Sequence, residues 1–119
     1  MELEMAQSTK ADAYLQFMSS RLALRDRANV PVLDPLEERV LEMIALASTP
    51  GERLSVTEVI TTAKLGSPTT LHNRLKSLRS KGLVELAYVD DVSRRQLQLT
   101  TAGMSYFDSL AKCMVGAVK

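Results

Sequence analysis

The sequence predicts a mainly α-helical fold that carries one small β-hairpin. Apolar residues recur at helical spacing in several segments, capping residues mark the helix starts, and alternation at period two appears between residues 83 and 99. A length of 119 residues fits a single domain. We expect this domain to contain an N-terminal helix over 8–28, a helix-and-hairpin region over 34–100 and a C-terminal helix over 101–118.

The composition excludes several classes of protein. Hydrophobic residues make up 45% and charged residues 24%, which is ordinary for a globular chain. The single His and the single Cys exclude a zinc finger, a disulfide framework and a Cys/His metal cluster, so no metal or cofactor is expected. No apolar run approaches the roughly 20 residues that span a membrane, and the acidic N-terminus lacks a signal-peptide core. We therefore expect a soluble, cytoplasmic protein.

Capping patterns predict the first two helices. Thr9 followed by Asp12 resembles a capping box, and the apolar face over residues 11–24 is wide for one helix on a small domain. The second helix is expected to begin at Asp34-Pro35, with Asp34 as its cap. Glu37 then lies near the positive end of the helix dipole.

Two shorter helices follow, separated by a tight turn. Ser55 with Glu58 is a further capping box, and Ser67-Pro68 starts the next helix almost immediately, over residues 67–81. Leu71, Leu75 and Leu78 form the predicted buried side of that helix. Gly82 fits the left-handed position after its C-terminus.

The period then changes from helix to strand. Val84, Leu86 and Tyr88 alternate with other residues, and residues 96–99 alternate again after a turn over 90–93. These two runs predict a hairpin. Thr100 or Thr101 is expected to cap the last helix, whose apolar seam covers residues 104–118.

The order of these elements is typical of a winged helix-turn-helix. Two short helices joined by a tight turn fit the helix-turn-helix, and the hairpin that follows directly would be its wing, with residues 90–95 at the tip. Residues 67–81 would then be the recognition helix. Because a chain of this size can hardly cover the apolar faces over 11–24 and 104–118, we expect both to form a homodimer interface.

The net charge of +1 conceals a local excess of bases. Residues 64–81 contain no acid, and their basic residues are Lys64, Arg74, Lys76, Arg79 and Lys81. A basic stretch in a near-neutral chain is what a polyanion site requires. The alternative is a solvated helix face without a ligand.

The side of helix 67–81 opposite the leucines carries side chains that suit DNA. Asn bonds adenine in two places, Lys donates to guanine and the methyl group of Thr contacts thymine, while Ser67 and the free N–H groups at the helix start suit a phosphate. Arg94 and Arg95 at the wing suit phosphates or a narrow minor groove, although Asp90 and Asp91 are alternative partners for them. The candidate contacts are Ser67, Thr69, Thr70, His72, Asn73, Lys76, Arg94 and Arg95.

Several short motifs together resemble a known family. They are Leu54-Ser55-Val56-Thr57-Glu58, Ser67-Pro68-Thr69-Thr70-Leu71, Lys81-Gly82-Leu83-Val84, Asp91-Val92-Ser93-Arg94-Arg95 and Leu99-Thr100-Thr101-Ala102-Gly103. In this order they resemble the winged helix of the MarR family of bacterial regulators. The resemblance implies a dimer formed by the flanking helices. It also implies major-groove contacts from Thr69, Thr70, His72 and Asn73, and a wing contact from Arg94.

These patterns predict a sequence-specific regulator of transcription that binds double-stranded DNA as a homodimer. The alternative is a winged helix that binds an acidic protein partner and no DNA. An enzyme is not expected, because the chain offers neither a nucleophile with an oriented base nor an evident carboxylate pair, and no catalytic residue is assigned. The sequence does not indicate whether a small-molecule effector exists.

Overall fold

The computed structural model describes residues 9–27, 30–48, 54–62, 65–88 and 95–118. Within these ranges the secondary-structure elements are α1 (Thr9–Leu24), α2 (Pro35–Ser48), α3 (Val56–Thr62), α4 (Pro68–Ser80), β1 (Val84–Tyr88), β2 (Arg95–Leu99) and α5 (Thr101–Ala117). The predicted fold class, mainly helical with one hairpin, is confirmed. The predicted turn over 90–93 lies outside the described residues.

The chain divides into two compact units. The central unit is Leu33–Met104, and the flanking unit combines Met1–Val32 with Ser105–Lys119. The central unit therefore contains α2 to β2 and the first turn of α5, whereas the flanking unit contains α1 and the rest of α5.

The core of the central unit forms around α4. Leu71, Leu75 and Leu78 are all buried, as the sequence predicts. Helix α4 packs against α2, α3 and β1, and α2 also packs against β2. The core residues contributed by the other elements are Leu33, Val40, Leu41, Ile44, Val59, Leu83, Val84 and Leu97. Full burial of one such side chain stabilises the fold by about 1.5–3 kcal/mol, so this packing fixes the inward side of α4.

Reciprocal caps fix the starts of α2 and α3. The backbone N–H of Asp34 donates to Glu37 Oε1 at 2.8 Å, and the N–H of Glu37 donates to Asp34 Oδ1 at 2.7 Å. Ser55 and Glu58 form the equivalent pair at 2.8 and 3.1 Å. Thr100 caps α5, because its Oγ1 accepts the N–H of Gly103 at 3.0 Å. These bonds satisfy N–H groups that a helix start otherwise leaves unpaired.

The hairpin is antiparallel, with a register that runs from Val84 opposite Leu99 to Tyr88 opposite Arg95. A short third segment joins it, because Leu97 N–H donates to the carbonyl of Leu54 at 2.8 Å and Ser55 bridges Gln96. The sequence does not predict this segment, since one bridge is too short to produce an alternating pattern.

Helices α1 and α5 bury few of their apolar side chains. Among the described residues, Leu24 is the only buried side chain of α1, and Gly103 is the only buried residue of α5. The large exposed apolar residues of these two helices are Tyr14, Leu15, Leu22, Met104, Met114, Val115 and Val118. No helix in the described ranges is both long enough and apolar enough to cross a membrane.

Two glycines of α5 provide a test of this packing. A Cβ added at Gly103 would lie 2.4 Å from the carbonyl oxygen of Leu83, whereas one at Gly116 would meet nothing within 4 Å. We expect Gly103→Ala to lower the free energy of unfolding by about 1–3 kcal/mol, because backbone must move to admit the methyl group. We expect Gly116→Ala to raise it by about 0.5–1 kcal/mol, because Ala favours the helix.

Urea denaturation followed by circular dichroism measures both changes. Equal effects of the two substitutions would contradict the close approach of α5 to Leu83.

Candidate nucleic-acid interface

One side of α4 is polar and faces away from the core. Thr69, His72, Asn73, Lys76 and Ser80, which we call the outer face, are all exposed. They lie opposite the buried leucines because α4 turns by about 100° per residue. The helix contains no acidic residue, so nothing on the outer face itself repels a polyanion. The predicted orientation of this helix is therefore what the structure shows.

The start of α4 is fixed by two hydroxyl groups. Ser67 Oγ accepts the backbone N–H of Thr70 at 3.2 Å and donates to Thr70 Oγ1 at 2.9 Å. Pro68 occupies the first turn, where its missing N–H costs nothing. Both hydroxyls thus serve the cap, and Thr70 is half-buried rather than part of the outer face.

Two acids at the start of α2, Asp34 as its cap and Glu37 in its first turn, contact the inner flank of α4. Asp34 Oδ2 lies 2.7 Å from Arg74 Nε, and Glu37 Oε2 lies 2.8 Å from Lys81 Nζ. Ser77 Oγ also donates a short hydrogen bond to Glu37 Oε2. We call Asp34 and Glu37 the acidic clamp. Its partners are Arg74, Ser77 and Lys81. These three residues lie on one side of the helix, because they are spaced by three and four residues.

Glu37 is buried, with 4% of its surface exposed. Burial raises the pKa of its carboxyl group, but hydrogen bonds from Lys81, from Ser77 and from the backbone of Asp34 more than offset that effect. The pKa therefore lies below its ordinary value. The sequence places Glu37 only at the start of a helix. Its partners are 40 and 44 positions away, so no local pattern reveals them.

The clamp changes the charge that α4 presents to solvent. Arg74 and Lys81 are paired with Asp34 and Glu37, so the predicted uncompensated basic stretch is smaller than its sequence suggests. Lys76 and Arg79 remain on the exposed surface, and no ion pair within the described ranges involves them. Arg79 is not among the predicted contacts. Its position three residues after Lys76 is the signal that could have revealed it.

The outer face borders a groove against the hairpin. One cleft of about 250 Å³ is lined by His72, Asn73, Lys76 and Arg79 together with apolar residues of α3, α4 and both strands. A second cleft of about 630 Å³ shares Lys76 and Arg79 and extends along β1 to Glu85. Two basic side chains in the lining of a concave surface suit an extended polyanion, and among the residues that the structure describes Glu85 is the one acid in the lining of either cleft.

The predicted wing tip, with Arg94, Asp90 and Asp91, lies outside the described residues. Arg95 begins β2 opposite Tyr88, but its side chain is not described. The wing contacts therefore stay predictions. Within the described ranges, no group of three or more His, Cys, Asp or Glu residues is arranged to hold a metal ion.

Comparison with known proteins identifies the fold. No protein-family model matches the sequence, and no curated protein matches it either. Solved structures that match include variants of MepR from S. aureus, a MarR-family winged-helix regulator. One aligns with a TM-score of 0.61 and 15% identity over 95% of this chain and 71% of the MepR chain. A second, bound to an oligodeoxyribonucleotide, aligns at 0.60 and 14% over 98% and 78%.

The chain has a MarR-type winged-helix fold. In winged-helix terms, α3 and α4 form the helix-turn-helix, α4 occupies the position of the recognition helix, and β1 and β2 form the wing. The groove therefore lies between α4 and the wing.

The buried carboxylate predicts a pH dependence of stability. Since the folded-state pKa of Glu37 is lowered, its charged form stabilises the fold above its unfolded-state pKa, near 4.5, and that contribution is lost as pH falls through the folded-state value. Glu37→Gln lacks the contribution. We expect the difference in unfolding free energy between the native chain and Glu37→Gln to shrink as the pH falls from neutral towards the acid range.

Denaturant titrations over that range measure the difference. A gap between the two proteins that stays constant, or widens, towards acid pH would show that Glu37 is not stabilised as a carboxylate.

Proposed function

We propose that the protein is a sequence-specific transcriptional regulator that binds double-stranded DNA as a homodimer. The observation that carries this proposal is the outer face of α4, which is polar, free of acids and exposed in the position of a recognition helix. The MepR variant bound to an oligodeoxyribonucleotide supports it, since the two chains share a fold. Such a regulator would act in the bacterial cytoplasm, with no catalytic residue and no cofactor.

The side chains on the outer face suit base edges in the major groove. The amide of Asn73 matches the paired donor and acceptor of adenine, and Lys76 matches the acceptors of guanine. Thr69 lies at the start of the helix, where recognition helices meet the bases. Arg79, in the groove beside the wing, suits a backbone phosphate. Residues 90–95 of the wing would contact the backbone or the minor groove.

Homodimerisation would cover the exposed apolar faces of the flanking helices. Tyr14 is 60% exposed, Leu22 is 55% exposed and Val118 is 75% exposed, although all three are large apolar side chains. Large apolar side chains that stay exposed in numbers typically mark protein interfaces. A dimer through residues 11–24 and 104–118 would present two recognition helices to half-sites about 34 Å apart.

Two substitutions on α4 separate base contacts from phosphate contacts. We expect Asn73→Ala to lower the preference for the cognate duplex by about 1–3 kcal/mol, because a bidentate base contact is lost. Arg79, which suits a backbone phosphate, provides the comparison. We expect Arg79→Ala to weaken binding to all sequences and to reduce the salt slope by about 1.

Fluorescence anisotropy measures these effects on a duplex selected from a random pool and on a scrambled duplex of equal composition. Lys112→Ala is the matched control, since Lys112 is exposed on α5 and pairs with Asp108. Failure of the native protein to bind either duplex at low salt would contradict the proposal and would favour the alternative, a module that binds an acidic protein.

The dimer has its own test in the exposed leucines. Leu15 on α1 is 50% exposed, and Leu46 on α2 is 72% exposed but lies outside the proposed interface. We expect Leu15→Glu to reduce the mass in solution from two chains to one, because a buried unpaired charge at an interface is costly. Leu46→Glu should leave the mass unchanged.

Light scattering over a range of concentrations measures the mass of each protein. A native chain that is monomeric at high concentration would exclude the dimer.

A further inference from the structure

The acidic clamp joins the first turn of α2 to the inner flank of α4. We propose that Asp34 and Glu37 are positioning residues for DNA recognition, which set the rotation of α4 about its own axis and keep Arg74 and Lys81 away from the duplex. This inference rests on the proposed function. It adds a second role to residues that otherwise cap a helix.

The clamp contacts one side of the helix, away from its axis. Arg74, Ser77 and Lys81 share that side, because they are spaced by three and four residues. A rotation of α4 about its axis would therefore carry all three away from the acids together. The hydrogen bonds to Glu37 weaken steeply when their angles change. The polar contacts thus add to the restraint that the buried leucines impose.

Glu37 makes incorrect rotations costly. Its Oε2 accepts hydrogen bonds from Ser77 and Lys81, and its Oε1 accepts the backbone N–H of Asp34. A rotation of α4 that withdrew Ser77 and Lys81 would leave a buried carboxylate without its partners from that helix. Such a state is strongly unfavourable. The outer face is thus held in one orientation even before DNA binds.

The clamp also divides the basic residues between positions 74 and 81 into a paired group and a group that lines the groove. Arg74 and Lys81 are paired with acids, whereas Lys76 and Arg79 line the groove beside the wing. The phosphate-binding charge of the helix is therefore concentrated on one side, next to the outer face. Positive charges grouped in this way raise the electrostatic potential at one place on the surface. They therefore restrict where the phosphates of a duplex can bind.

Conservative variants test the clamp without removing the caps. Asn is as good a cap as Asp, and Gln serves in a capping box as Glu does, so Asp34→Asn and Glu37→Gln lose mainly their charges. Glu42→Gln is the matched control, because Glu42 is an exposed acid of the same helix. All proteins are compared at a temperature at which circular dichroism shows them to be folded.

The decisive quantity is selectivity, the ratio of the Kd for a scrambled duplex to the Kd for the duplex selected by the native protein. We expect the double variant Asp34→Asn/Glu37→Gln to lose about tenfold in selectivity, the equivalent of one misplaced base contact. Its affinity for the scrambled duplex should not fall, because two cations have been released. Selectivity of Glu42→Gln should match that of the native protein.

A purely structural role of the clamp would change the folded fraction but not the selectivity of the folded protein. Unchanged selectivity in the folded double variant would therefore overturn the inference. If the double variant does not fold, Asp34→Asn decides alone, because Asp34 is partly exposed. A loss of selectivity in that variant supports the clamp, and an unchanged value overturns it.

A second comparison tests the division of the basic residues into a paired group and a groove-lining group. We expect Arg79→Ala to reduce the salt slope for the scrambled duplex by about 1, and Arg74→Ala to leave the slope unchanged. Equal reductions of the salt slope by the two substitutions would overturn this division. Native protein that binds neither duplex would contradict the proposed function itself, whereas selective native binding with a selective double variant would contradict only the clamp.

Discussion

The burial of one leucine stripe determines what α4 presents to its surroundings. Leu71, Leu75 and Leu78 all pack into the core of the central unit. Because a helix has a fixed turn per residue, their burial places the outer face on the opposite side. The groove, the exposed basic pair and the proposed DNA contacts all depend on that orientation.

Ion pairs then modify the charge of the surface that packing exposes on α4. Two acids at the start of α2 are paired with Arg74 and with Lys81, which directly follows α4, whereas Lys76 and Arg79 line the groove. The buried Glu37 is a weak source of net stability, because its desolvation opposes its hydrogen bonds. The role that we propose for it is instead to select one orientation of α4. Under this proposal, stability and recognition rest on different contacts of the same helix.

Local chemistry made much of the fold predictable. The reciprocal caps at Asp34 and Ser55 could be predicted from the sequence, because each bond spans three residues. The turn at Gly82 could be predicted because a positive φ, here 77°, favours glycine. Pairs of residues far apart in the sequence could not be predicted. The burial of Glu37 depends on Ser77 and Lys81, and the third segment of the sheet depends on one contact between Leu54 and Leu97.

The same distinction applies to the candidate site. Exposure of Asn73 and Lys76 followed from helical periodicity, whereas the division of the basic residues into paired and exposed groups required the packing of α2 on α4. The contact predicted for Arg94 depends on a wing tip outside the described residues. Sequence periodicity therefore identifies a face, and tertiary contacts decide how much charge it carries.

Backbone amide chemical shifts, recorded while the selected duplex is added, show which surface of the protein meets DNA. We expect the largest changes on the outer face of α4 and on the adjoining hairpin, with α1 unaffected. Changes confined to the flanking unit, or to the side of α4 that carries the leucines, would contradict the proposed DNA interface.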